Sequence, residues 1–178
     1  MARKTITFAN QKTEPFFERH AWKVLLFFGL FMSLTGLPDI LVGGSFYQEA
    51  EGTSLVAITG MTWEQLEAVS PNAAARIDFK MRVGGIQFLF LGLFSMAITL
   101  TGFRRGERWA WYTMWLYPLF LGLHTFVILS AYKHPQAGIP VALVSGPVVL
   151  VITALTLALS YRKFFTKQQK PINSPVVS

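Results

Sequence analysis

Residues 83–131 read VGGIQFLFLGLFSMAITLTGFRRGERWAWYTMWLYPLFLGLHTFVILSA. Two apolar runs, Val83–Phe103 and Trp109–Ala131, flank the charged turn Arg104-Arg105-Gly106-Glu107-Arg108. Each run has the roughly 20 residues that an α-helix needs to cross about 30 Å of hydrocarbon. Moving outward along the chain, runs of similar length and composition recur at Trp22–Val42 and Ile139–Tyr161. The expected fold is all-α: an integral membrane four-helix bundle with spans over 22–42, 83–103, 109–131 and 139–161.

Composition agrees with this reading. Of 178 residues, 52% are hydrophobic and 14% charged, against about 25% charged in soluble domains. The net charge of +7 does not signal nucleic acid, because the basic residues flank apolar runs and do not cover a polar domain. Anionic lipid headgroups are the better match. The absence of cysteine excludes disulfides, thiolate metal sites and cysteine nucleophiles. The first apolar run is longer than a signal-peptide core, follows a polar stretch and has no small-x-small cleavage pattern, so it is expected to remain as an anchor.

Orientation follows from the flanks. Arg3, Lys4, Lys12, Arg19 and Lys23 precede the first span, Arg104, Arg105 and Arg108 join the second and third, and Arg162, Lys163, Lys167 and Lys170 follow the fourth. That places twelve of the sixteen basic residues on one side. The positive-inside rule therefore puts both termini in the cytoplasm, and a plasma membrane is the expected location. Trp109, Trp111, Tyr112 and Trp115 crowd the inner start of the third span, where an aromatic belt belongs.

The remaining segments are organised around these spans. Residues 1–21 form a cytoplasmic segment, in which Pro15, Phe16 and Phe17 ahead of Trp22 suggest a short helix lying along the inner surface. Residues 162–178 form a basic tail whose composition after Lys167 predicts disorder. Residues 43–82 are too long for a bare loop and are expected to build a small helical cap on the outer side. Thr62 and Gln65 bracket a capping box. Ser70-Pro71 reads as an N-cap followed by proline at the first helical position. The second span then begins outside the membrane, with Gly84-Gly85 as a place to bend.

Polar side chains inside a membrane are expensive and mark candidate sites. Asp39, Gln87, His124 and Ser145, one per span, fall at similar depth in the outer half, with Arg82 at the rim. Together they suggest a ligand pocket opening outward under the cap, with His124 as proton carrier or ligand. A purely structural network of interhelical hydrogen bonds, including an Asp39–Arg82 ion pair, is the competing reading. His20 and His134 lie at opposite edges of the membrane, so neither pairs with His124 across a bis-histidine haem. No metal site is expected, because the spacing and a third ligand are lacking. Gly29 and Gly36 in the first span, and Gly84, Gly85 and Gly92 in the second, read as close-packing positions. Nucleotide-binding, serine-hydrolase and zinc-peptidase motifs are absent, so no catalytic residue is assigned.

The layout, with an outer first loop, Arg-Val-Gly-Gly at Arg82–Gly85 and Phe-Arg-Arg-Gly-Glu-Arg-Trp-Ala-Trp-Tyr at Phe103–Tyr112, resembles the DoxX-like group of small four-span bacterial membrane proteins. The resemblance covers most of residues 22–161. It implies a four-helix bundle and, for some members, a role as a membrane subunit of quinol-linked oxidoreductases. The leading expectation is accordingly a non-catalytic accessory subunit packing against larger membrane partners. The second is a binding protein or enzyme for a small amphipathic molecule, a quinone or lipid, using the pocket around His124. The third is a small transporter that self-associates to build its pathway.

Overall fold

The computed structural model describes residues 16–45 and 52–165. The expected tail disorder after Lys167, residues 1–15 of the N-terminal segment, and Glu49 and Glu51 of the first loop lie outside the described residues. Helix α1 spans Phe16–Leu41 and ends in a 3-10 turn at Gly43–Ser45. Two short helices follow, α2 at Gly52–Thr59 and α3 at Trp63–Val69. Helix α4 runs Pro71–Ile98 and is prolonged by a π-helical turn at Thr99–Phe103. Helices α5 (Arg108–Met114) and α6 (Leu116–Ala131) share the third apolar run, and α7 spans Val141–Phe165. There is no strand among the described residues.

Four helical stretches, Glu18–Leu41, Pro71–Phe103, Arg108–Ala131 and Val141–Phe165, are long and apolar enough to cross a membrane. The helix expected along the surface at Phe16–Trp22 is instead the start of α1, which continues without interruption to Leu41. The third stretch is broken at Trp115. Pro118 lacks the N–H that would reach the Met114 carbonyl and crowds it sterically, and the Trp115 N–H turns back to the Tyr112 carbonyl at 3.2 Å. The break therefore has a covalent cause.

The bundle is inside-out relative to a soluble protein. Leu123, Phe126, Val127, Leu155 and Leu159 are exposed, whereas Ser33, Ser95, Thr99, Thr153 and Ser160 are buried in the seams. The most extensive pairing is α1 with α4, followed by α6 with α7 and then α1 with α7. The α1–α4 seam is made by glycine. A Cβ on Gly36 would stand 2.4 Å from the Gly85 carbonyl oxygen, and one on Gly92 would stand 2.4 Å from that of Gly29. Ser33 adds a hydrogen bond across the seam, donating to the Leu89 carbonyl at 3.3 Å as well as to Gly29 at 3.1 Å. Gly29, Gly36, Gly85 and Gly92 thus bring the two backbones together as expected, whereas Gly84, also expected to pack closely, faces open space, a Cβ there meeting nothing within 4 Å. Gly85 serves this contact and not a bend: α4 is helical through Gly84-Gly85.

Two buried clusters fill the bundle. Ala21, Leu25, Phe103, Ala110, Met114, Leu157 and Phe164 pack at the basic end. Phe28, Met32, Tyr117 and Leu121 pack at mid-height. The aromatics expected as one belt divide: Trp109 and Tyr112 are exposed, while the Trp111 indole donates to the Leu157 carbonyl at 2.9 Å and stacks edge-on with Trp115 and Tyr161.

A cap closes the opposite end, with Leu55, Trp63 and Leu66 packed on Ala74. The capping box forms as read: Gln65 N–H donates to Thr62 Oγ1, and Thr62 N–H donates to Gln65 Oε1. Ser70 takes the N-cap position with Pro71 behind it, but its hydroxyl makes no capping bond and its carbonyl carries the turn. Helix α2 is tied to the second cap-end loop by the Lys133 and His134 N–H groups, which donate to the Ala57 carbonyl.

Candidate functional site

The end of α1 is clamped under the cap. Gly43, at φ +67°, reverses the chain after Leu41, a conformation in which a Cβ is unfavourable. The next N–H, of Gly44, donates to Asp78 Oδ1 at 2.6 Å. Arg82 donates to Asp78 Oδ2 at 2.8 Å, to the Ile40 carbonyl at 2.8 Å and to the Val42 carbonyl at 3.3 Å. Its guanidinium therefore caps the Ile40 carbonyl in the last turn of α1 and reaches the Val42 carbonyl just beyond it. With side-chain exposures of 42% for Arg82 and 31% for Asp78, solvent screening limits this pair. Replacing Arg82 by alanine is expected to cost about 1 kcal/mol and to speed hydrogen exchange at the Gly44 amide. Unchanged exchange at that amide would show that the clamp is not held by Arg82.

Beneath this clamp lies a cavity of about 640 Å³. All four long helical stretches and the cap contribute to its wall: Thr35 and Asp39 from α1, Phe88 from α4, His124 from α6, Ser145 from α7, and Thr59 and Trp63 from the cap. The wall is mainly apolar. Its floor is Tyr117, whose hydroxyl donates across the bundle to the Phe28 carbonyl at 3.0 Å. Packing between α4 and α6 is slight compared with the other neighbouring pairs. Aromatic side chains bridge them: Phe88 meets Phe120 and His124 edge-on, with centroids 5.9 and 5.2 Å apart.

The candidate residues now separate. Asp39, His124 and Ser145 line the one cavity. Gln87 is exposed on the outside of α4, and Arg82 belongs to the clamp above. The His124 ring is held by stacking on Phe120 at 6.0 Å and by the edge of Phe88, an arrangement that fixes the ring while leaving its nitrogens uncommitted among the described residues. Ser145 donates to its own helix at the Val141 carbonyl (3.0 Å), and Thr35 does the same at Met32 (2.9 Å). Each of these hydroxyls therefore offers a ligand only acceptor lone pairs. Asp39 adds a carboxylate acceptor, and His124 supplies a donor from whichever ring nitrogen carries the hydrogen.

Sequence reasoning missed Tyr117, Thr35, Thr59 and Trp63 as wall residues. A usable signal was present: Tyr117, Leu121, His124 and Ile128 recur at four- and three-residue steps, which is one helix face. Among the described residues no three His, Cys, Asp or Glu side chains converge as a metal set. His134 lies away from the cavity, where a Cβ on Gly60 would touch its ring at 3.1 Å. Ser145 makes its hydrogen bond to backbone, so it lacks the base contact of an activated nucleophile. The arrangement suits recognition of a mostly apolar molecule with a polar head. No protein-family model, no curated protein and no solved structure matches the chain.

Proposed function

We propose that this chain is a four-span membrane protein, with both termini cytoplasmic, that binds a small amphipathic molecule in the cavity under its cap. The apolar exterior and the Ser-, Thr- and Gly-lined seams support insertion, because in lipid helices associate through small and polar residues. The distribution of Lys and Arg supports the orientation. One observation carries the ligand reading: a cavity of about 640 Å³, walled by all four long helical stretches and the cap, gathers Asp39, His124 and Ser145 in an apolar surround. Small-molecule sites have volumes of about 300–1,000 Å³ and this same mixture of apolar wall and few polar groups. A lipid-soluble molecule with a carbonyl head, such as a quinone, matches the chemistry. Its head accepts a hydrogen bond from His124, and its body lies against Phe31, Phe88 and Leu121. The accessory-subunit reading has no observation of its own in the fold and becomes an outcome of the experiment.

That experiment is native mass spectrometry of the chain extracted gently from its membrane, followed by titration with a short-chain quinone analogue. A bound small molecule is expected in the wild type. His124→Ala is expected to weaken binding about tenfold, the equivalent of about 1.4 kcal/mol, as for one hydrogen bond lost from an apolar site. Isolation at fixed stoichiometry with larger subunits and an empty cavity would favour the accessory reading instead.

A further inference from the structure

We infer that the basic end of the bundle carries a second binding site, for the phosphate headgroup of an anionic phospholipid, centred on Arg105, Arg108 and Lys163. A separate cavity of about 530 Å³ lies there, and these three cations line it together with Glu107, Trp109 and Phe164. The site rests on membrane insertion, as proposed above, but not on the cavity under the cap.

The cations stand on an ordered frame. Gly106, at φ +79°, closes the turn between α4 and α5, its N–H donating to the Phe103 carbonyl at 3.1 Å. The next N–H, of Glu107, reaches the Gly102 carbonyl, also at 3.1 Å. Lys163 lies across this turn from α7: its ammonium donates to the Arg104 carbonyl at 3.2 Å and sits 5.8 Å from both the Phe103 and Phe164 ring centres. Arg108 donates to the Phe164 carbonyl at 3.4 Å, and its guanidinium lies 5.3 Å from the Phe165 ring. Arg105 is exposed and, among the described residues, has no hydrogen-bond or ion-pair partner. The carboxylate in the wall, Glu107, accepts a hydrogen bond from the Trp109 indole. A second carboxylate, the buried Glu18, acts electrostatically on Lys163. Three cations still outnumber these two carboxylates, and two of the three are guanidiniums, whose forked donors fit phosphate oxygens.

The surroundings select a lipid over a free anion. Trp109, Tyr112 and Leu116 are each about half exposed, at 49%, 59% and 59%, and follow one another away from the site along α5 into α6. Acyl chains attached to a phosphate held at Arg105 have that apolar surface to lie on. Basic pockets between spanning helices on the cytoplasmic side take anionic headgroups on the same principle. A role limited to setting topology requires the charge alone. A headgroup site requires the guanidinium geometry as well, and this separates the two readings.

The test uses the full chain in an uncharged detergent, offered equal amounts of phosphatidylglycerol and phosphatidylcholine with the same acyl chains and read by native mass spectrometry. Wild type is expected to retain phosphatidylglycerol in about tenfold preference. Arg105→Gln, at a side chain with no partner to lose, is expected to reduce that preference several-fold, and adding Lys163→Gln to abolish it. The charge-preserving pair Arg105→Lys and Arg108→Lys is expected to keep insertion normal while lowering the preference. Blocking the other cavity with Ser145→Phe is expected to leave it unchanged, so failure of either site is seen separately. Equal retention of the two lipids by wild type, or an unaltered preference in the glutamine variants, overturns the proposal. So does inorganic phosphate that raises the melting temperature as much as phosphatidylglycerol does, since the site would then serve a soluble anion.

Discussion

Gly36→Leu is expected to unfold the bundle or leave it only marginally stable, and Gly85→Leu to do the same. A Cβ at position 36 would lie 2.4 Å from the Gly85 carbonyl oxygen and 3.0 Å from the Leu89 nitrogen. One at position 85 would lie 2.6 Å from the Gly36 carbonyl oxygen and 2.7 Å from Asp39 Cβ. The atoms met first are backbone, so no rotamer change relieves either clash. The two helices must separate, and separation undoes the Gly29–Gly92 contact and the Ser33 bond to Leu89 along the same seam. Overpacking typically costs about 1–3 kcal/mol, and loss of a whole helix seam exceeds that. Gly84 supplies the control, because a Cβ there meets nothing within 4 Å. Gly84→Leu is expected to be neutral, or stabilising by up to about 1 kcal/mol through helix propensity. Unfolding titrations in mixed micelles measure all three variants. Equal effects at 84 and 85 would mean that the seam is not where the structure has it.

This contrast between adjacent glycines also shows how far the sequence could be read. The seven-residue spacing of Gly29 with Gly36 announced a close helix pair, because one helical face repeats at that interval. Of Gly84, Gly85 and Gly92, all expected to pack closely on the second span, Gly85 and Gly92 do so and Gly84 does not. The spacing did not say which helix each glycine face would meet. The same spacing held a further message about Gln87. At about 100° per residue, a side chain two positions after Gly85 points some 200° away from the α1 seam, and Gln87 is indeed exposed. Depth along the axis is legible from residue counting, whereas rotation about it decides which neighbour a side chain meets. His124 and Ser145 reached one cavity because depth and rotation both agree for them. The capping box was legible because both its partners lie within four residues. Arg82 bonds to the Ile40 and Val42 carbonyls, contacts that depend on where the distant end of α1 comes to rest. Local chemistry was in the chain text; contacts made by helix rotation and by long-range docking were not.

Ser145→Phe separates a cavity that binds from one that merely exists. Ser145 lines the cavity, and its hydroxyl is engaged with the Val141 carbonyl of its own helix. Removing the hydroxyl alone, in Ser145→Ala, deletes an acceptor lone pair and leaves the volume open. Binding of the quinone analogue is then expected to fall by no more than about threefold, within the weaker range of a net hydrogen bond. A phenylalanine at the same position enters the cavity, takes the space of the ligand's apolar body and buries its ring against Val149 and Leu121, which share the wall. Binding is expected to fall by more than about a hundredfold, while the unfolding midpoint of the ligand-free protein holds or rises, since filled apolar volume contributes about 25 cal/mol per Å² of surface removed from water or void. Trp63 lies in the same wall, so in a variant with the other four tryptophans replaced by phenylalanine, quenching of its fluorescence by the analogue reports occupancy. Loss of binding together with loss of stability would indicate a damaged fold and would resemble Gly36→Leu. Loss of binding with stability retained can come only from occlusion. Undiminished binding in Ser145→Phe would place the ligand elsewhere on the bundle and would remove His124 from its contact set.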